Sequence, residues 1–325
     1  MGTRRSFRFA VQAFDDPGSG QAWAHTARRV EALGYSTLFG ADHYYGPGQV
    51  AEVSKHRPTE LAPISAMAMA AAATFRLRVG CRVFNVEMHH PVVLAKEMAT
   101  LDLLTDGRVE VGLGAGWTTA EFEALGKRFD PSGIRIARLA EAAEVIKAHW
   151  SGDEFRFDGE HFQVHGFAGR PVPSQSPHPP IMIGGGRPKV LRTAGRLADI
   201  VSLNFDNGPG RLSAATLASC DADATTRQLE WVREGAGERF DELEIELSAF
   251  FVNIGRRSSG IADLARRFEV GEEDLVDNPH ALLGSVDVVC DVLRERRERY
   301  GISYVTVPVY AFEDFAPVVA RLAGT

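Results

Sequence analysis

The chain has 325 residues, 45% of them hydrophobic, and 36 basic against 43 acidic side chains give it a net charge of −7. That length and apolar content can bury a large core, and with no internal repeat or low-complexity block a single domain over residues 1–325 is expected. No basic patch is interleaved with aromatics, the apolar run in the opening MGTRRSFRFAVQAF is too short for a secretory signal, and no stretch approaches the ~20 apolar residues of a spanning helix, so nucleic-acid and membrane roles are set aside.

Phe7–Ala13 reads as a first strand, followed by a helix over Gln21–Leu33 that carries Trp23, Ala27, Val30 and Leu33 on one face and stops at Gly34. Tyr35–Phe39 is a second strand, running into Gly40-Ala41-Asp42-His43. After a loop bearing Gly and Pro, Thr59 is expected to cap an Ala- and Met-rich helix that reaches Ala73. Leu77–Phe84 and Val109–Leu113 are short apolar runs of the kind buried on both faces of a sheet. Between them PVVLAKEMATLDLL starts with Pro91 at a tolerated first helical position and closes at Asp106-Gly107.

Glu121–Leu125 and Ile134–Trp150 read as helical, and Phe155–Val164 as a hairpin turning at Asp158-Gly159. A Pro-rich connector then leads to a fifth strand, Ile181–Ile183, and to Gly184-Gly185-Gly186-Arg187-Pro188, which opens a helix to Gly195. Asp199–Leu203, Glu246–Asn253 and Ser303–Pro308 are strands six to eight. Insertions are expected at about 151–180 and 255–281, the latter of helical character, with helices at Gln228–Ala236, Ser285–Tyr300 and Glu313–Leu322. Eight strands alternating with helices predict an α/β fold, a (β/α)8 TIM barrel with insertions.

The segment His89–Trp117 (HHPVVLAKEMATLDLLTDGRVEVGLGAGW) resembles the bacterial luciferase-like flavin and deazaflavin oxidoreductases. Gly40–His43, Pro180–Gly186 and Gly195–Ile200 fit the same family, so the resemblance spans about two thirds of the chain. The branch that looks nearest uses coenzyme F420. The resemblance implies a TIM barrel, an oxidoreductase acting on a small molecule, and a homodimer.

In such a barrel the working residues follow the strand ends. Strand two offers Asp42 and His43, a carboxylate and an imidazole that could move a proton, against the bland alternative of a turn Asp and an exposed His. Strand three offers Arg82, Val83 and Asn85. The resemblance implies a cis peptide between Arg82 and Val83 beside the coenzyme ring, although Arg82 departs from the small residue usual there. Trp117 stands where similar sugar-phosphate dehydrogenases hold a proton-donating glutamate, and it could stack on a ring or belong to the core. Glu121 reads as a helix-start residue, and Asn85, His90 and Asn204 as second-rank candidates.

Gly184, Gly185, Gly186 and Arg187, ahead of a helix start, form the clearest anion site for a coenzyme phosphate, against the alternative of a plain glycine turn. Arg187, Lys189, Arg192 and Arg170 could line an exit for an anionic tail. Three widely spaced cysteines, Cys81, Cys220 and Cys290, argue against a disulfide framework or zinc site and for a cytoplasmic location, and no histidine spacing suggests a metal. The expected coenzyme is F420. The alternatives are a reduced-FMN monooxygenase using His43 on the same scaffold and, from another class, a non-enzymatic flavin-binding protein.

Overall fold

A computed structural model describes residues 5–13, 17–208, 219–255 and 278–325, with single positions at 216, 262, 265, 266, 271, 272 and 275. Eight parallel strands close into a barrel in the order β1 (Arg8–Gln12), β12 (Ile302–Pro308), β9 (Glu244–Ser248), β8 (Ile200–Leu203), β7 (Ile181–Gly185), β4 (Val109–Gly114), β3 (Arg78–Asn85) and β2 (Thr37–Gly40). This is the (β/α)8 TIM barrel read from the sequence. Two further pairs stand outside it: the antiparallel hairpin β5 (Glu154–Asp158) with β6 (Gln163–Ala168), and the parallel pair β10 (Phe251–Ile254) with β11 (Ala281–Gly284).

Helices pack their apolar stripes on the outside of the strands. Helix α1 (Gly20–Ala32) buries Trp23, Ala27 and Val30, and its N-cap Ser19 accepts from the Ala22 N–H. Helix α4 (Pro91–Leu104) starts at its proline and buries Leu94, Ala95, Met98 and Ala99. Asp106 and Gly107, both at positive φ, then turn the chain into β4.

Three expectations are corrected. Thr59 caps nothing, because α3 (Pro63–Ala72) begins later with Pro63 in its first turn and Ala62 as N-cap. The loop before it contains a short helix, α2 (Gln49–Ser54). The run Glu246–Asn253 is two strands: the barrel strand ends at Ser248, the chain bends at Ala249-Phe250, and Phe251–Ile254 then pairs with Ala281–Gly284 as β10. Most of the segment 255–281 expected to be helical lies outside the described residues.

Inside the barrel Ala10, Phe39, Met182, Ile200 and Tyr304 form one buried cluster. Below them the N-terminal end is closed by charge. Glu110, fully buried, receives Arg8, the Arg78 Nε at 2.8 Å and the Tyr304 hydroxyl at 3.0 Å, while Arg8 also pairs with Glu244 at 2.6 Å. Such a plug confines any ligand to the opposite, C-terminal mouth, where barrel enzymes work.

Candidate active site

A cavity of about 1170 Å³ opens at that mouth. Every barrel strand lends it a residue at or just past its C-terminal end: Gln12, Ala41, Asn85, Gly114, Gly185, Ser202, Ser248 and Pro308. Its volume slightly exceeds the ~300–1,000 Å³ of typical small-molecule pockets, enough for a coenzyme head with a small substrate beside it.

Along one wall stands a cluster from the loops after β2 and β4. The His43 Nδ1 lies 3.0 Å from the Glu121 Oε2, and the Glu121 Oε1 accepts the Tyr44 N–H at 2.7 Å. Around His43 pack the rings of His56, Tyr45 and Trp117, at centroid distances of 4.9, 5.3 and 6.1 Å. Burial, reinforced by the nearby His43, pushes the His56 imidazole down to about 3, so it stays neutral at ordinary pH. The Tyr45 hydroxyl and the Arg57 carbonyl both contact its Nδ1, at 3.1 and 2.9 Å.

Asp42, adjacent in sequence to His43, turns elsewhere. Its Oδ2 accepts the Asn85 N–H and faces the His89 Nε2, each at 2.8 Å. The expected Asp42–His43 neighbours are therefore two separate carboxylate–imidazole pairs, Asp42 with His89 and Glu121 with His43. Glu121 does sit in the first turn of α5 (Thr119–Ala124), as its sequence position suggests, but it is only 2% exposed. Its link to His43 escapes sequence reasoning because 78 residues separate the two.

The floor is Arg82. Its guanidinium donates to the Gln12 Oε1 at 3.1 Å, the Ser202 Oγ at 2.8 Å and the Glu246 Oε2 at 3.2 Å, tying β3 across the barrel to β1, β8 and β9. An arginine therefore serves in a position where the resemblance implies a small residue. The Arg82–Val83 peptide is cis, and Val83, Asn85 and Trp117 all line the cavity.

At the far end Gly184, Gly185, Gly186 and Arg187 line the cavity ahead of α7 (Pro188–Leu197). The glycines answer packing needs of their own. A Cβ on Gly185 would sit 2.3 Å from the Val190 Cγ1, and one on Gly186 would sit 2.4 Å from the Phe205 carbonyl oxygen. A second helix start, α6 (Ser132–Trp150), converges on the same end, where the Lys189 Nζ donates to the Gly133 carbonyl at 2.9 Å. Two positive dipole ends thus meet where one was expected. Arg187 pairs with Asp206 at 3.1 Å, and its side chain is 59% exposed. Of the four exit cations read from the sequence, Arg187 and Lys189 line the cavity, whereas Arg192 pairs with Glu234 and Arg170 does not line it. Asn204 also lines the cavity; His90 is the N-cap of α4 and packs on Phe162.

Cys81, Cys220 and Cys290 are buried thiols that form no disulfide with one another, and burial raises the Cys81 thiol well above its ordinary value, as suits a core residue. Among the described residues no three His, Cys, Asp or Glu side chains are grouped to hold a metal ion, and no helix is long and apolar enough to cross a membrane.

The luciferase-like monooxygenase family model matches residues 8–274. The chain belongs to the luciferase-like monooxygenase family. This luciferase-like chain is 34% identical over 206 residues to the FMNH2-dependent dimethylsulfone monooxygenase of Pseudomonas putida, covering 63% of this chain and 53% of that protein. It is 33% identical over 177 residues to the F420-dependent glucose-6-phosphate dehydrogenase of Kineococcus radiotolerans, covering 54% and 50%. The matches thus span about half the length of these curated relatives. The solved structure of the coenzyme F420-dependent tetrahydromethanopterin reductase of Methanopyrus kandleri superposes with a TM-score of 0.75, covering 98% of this chain and 100% of that one, at 19% identity.

Proposed function

We propose that this luciferase-like chain is a single-domain cytosolic oxidoreductase that holds coenzyme F420 across the barrel mouth, with His43 as the proton partner of a small organic substrate. The observation that carries the reading is the continuity of one cavity, from the His43 wall to the convergent starts of α6 and α7.

The residues present fit such a group. The Ser132 and Gly133 N–H groups of α6 and the Lys189 and Val190 N–H groups of α7 precede the first intrahelical acceptors, and the dipoles favour a phosphate there. Arg187 and Lys189 add positive charge beside the opening, and the exposure of Arg187 leaves room for an anionic tail to leave toward solvent. Arg82, Val83 and Asn85 form the shelf beneath, and Trp117 offers a flat edge beside His43.

When bound, the coenzyme supplies hydride chemistry. This chain supplies position and protons. When a substrate loses or gains a hydride at carbon, a proton must leave or reach the neighbouring heteroatom, and His43 stands at the cavity wall to take or give it. Val309, Phe205 and Phe250 give the cavity an apolar side.

A reduced-FMN monooxygenase is the second reading, favoured by the Pseudomonas putida relative. Titration with each coenzyme separates the two. Micromolar or tighter binding of F420 with weak FMN binding supports the proposal. Tight FMN binding with oxygen-dependent substrate oxidation overturns it in favour of the monooxygenase. Binding of either without turnover of any substrate makes the chain a carrier.

A further inference from the structure

Two facts about Glu121 are independent of which coenzyme is bound. It is almost fully buried although it carries a carboxylate, and both of its oxygens are committed to the loop after β2. A buried carboxylate needs donors, and here they are the Tyr44 N–H, which can only donate, and the His43 Nδ1. The short helix that carries Glu121 follows β4, so the contact clamps two loops of the mouth together across the His43 ring.

We propose that Glu121 is a positioning residue that holds His43 in the tautomer with hydrogen on Nδ1, making Nε2 the atom that exchanges a proton at the cavity. The inference rests on the reading of His43 as the proton partner. Carboxylate oxygens accept, so the hydrogen of the Glu121–His43 contact resides on Nδ1 and the lone pair on Nε2. Glu121 lines the cavity, but with its Oε1 on the Tyr44 N–H and its Oε2 on the imidazole it acts through His43. The remaining groups facing His43 do not compete for Nδ1. His56 and Trp117 meet it through ring contacts, Tyr45 directs its hydroxyl to His56, and Asp42 is engaged by Asn85 and His89.

The substitution Glu121→Gln makes this testable by reversing the hydrogen bond with little change in shape. The Tyr44 N–H still requires an oxygen, so the amide carbonyl stays there and the NH2 turns toward His43. Nδ1 must then accept, which moves the imidazole hydrogen to Nε2. An asparagine in place of the orienting aspartate of a catalytic triad acts in the same way, at a cost of about 10⁴-fold in turnover.

The measurement is nitrogen NMR of the full chain labelled with 15N-histidine, without coenzyme, at a pH about two units above the ordinary histidine value of ~6.5. The spectrum of His43→Gln assigns the His43 resonances among the 10 histidines. Wild type should show a protonated Nδ1 and a bare Nε2, and Glu121→Gln should invert them, with turnover reduced by about 10²–10⁴-fold and coenzyme affinity unchanged. A bare Nδ1 in wild type overturns the proposal without need of any variant. So does a Glu121→Gln chain that keeps the wild-type tautomer, or one that loses coenzyme affinity while the tautomer is unchanged, since Glu121 would then merely brace the loop. His43→Ala distinguishes the underlying reading: undiminished turnover in that variant removes His43 from the chemistry, whatever the tautomer shows.

Discussion

Replacing Glu110 by Gln should destabilise the barrel without touching the mouth. Glu110 is fully buried and takes Arg8, the Arg78 Nε, the Thr37 hydroxyl and the Tyr304 hydroxyl on two oxygens. Burial works to raise its pKa, yet Arg8 and Arg78 outweigh burial and hold the carboxyl below its ordinary value. The amide keeps one acceptor but removes the charge that two guanidinium groups face, and it turns NH2 toward the Tyr304 hydroxyl. Breaking a buried ion pair costs about 3–5 kcal/mol. Arg8 retains Glu244, and Arg78 retains the Gln175 Oε1 and the Val109 carbonyl, so the lower end, about 3 kcal/mol, is expected. That is a large share of the ~5–15 kcal/mol of a typical fold. Urea unfolding reads it as a lower midpoint at unchanged slope. The pH dependence follows from the lowered pKa. The stability supplied by ionised Glu110 is fully present above the ordinary value of 4.5 and is lost as pH falls through the lower folded value, so the gap between wild type and variant should close in that acid range. A loss below about 1 kcal/mol at pH 7, the scale of a surface pair, would refute the view that this network holds the closed end together.

Turnover should fall by about 10²-fold or more in His43→Ala, with the fold intact by circular dichroism, as expected for a positioned acid or base. Arg187→Glu should weaken coenzyme binding about tenfold, ~1.4 kcal/mol, in a titration, because it puts a negative charge beside the proposed phosphate site. Unchanged affinity would remove Arg187 from that site. Phe75 and Leu104 are 90% and 75% exposed at helix ends that Arg108 ties together through Thr74 and Thr105, which makes them the pair with which to test the homodimer implied by family resemblance. Phe75→Glu with Leu104→Glu should yield a monomer by sedimentation, and an unchanged sedimentation coefficient would place any interface elsewhere.

The barrel was legible because its signals are local. A strand buried on both faces is a short apolar run, and a proline marks the first turn of α3, α4 and α7 alike; the hairpin also forms, but Asp158 pairs with Gln163 and the chain turns through the four residues 159–162 instead of a two-residue Asp-Gly turn. Misreadings arose where one local pattern served two purposes. Glu246–Ser248 and Phe251–Asn253 follow one another with no glycine or proline between them, so nothing short of tertiary pairing separates a barrel strand from a partner of Ala281–Gly284. Thr59 looked like a cap because threonine is a good one, but Pro63 sets the helix start instead.

The lining of the cavity was legible in the sequence, and the pairings of its side chains were not. Asp42, His43, Arg82, Val83, Asn85, Trp117 and Gly184–Arg187 all line one cavity, because each lies in the C-terminal half of a strand or just past it, in a fold that gathers strand ends at one mouth. Which carboxylate serves which imidazole is a different question, since the partners lie on loops far apart in the sequence. Asp42 and His43, in the loop past the end of β2, point to different partners, one toward the β3 loop and the other toward α5. The partner of a mouth residue is therefore to be sought on the neighbouring strand's loop, and Glu121 was discounted only because a glutamate in a first helical turn already has an adequate local explanation. Burial reverses that judgement: a helix-start glutamate that merely balances the dipole can remain in water, whereas one with both oxygens taken by the loop that carries His43 has been desolvated for a specific contact.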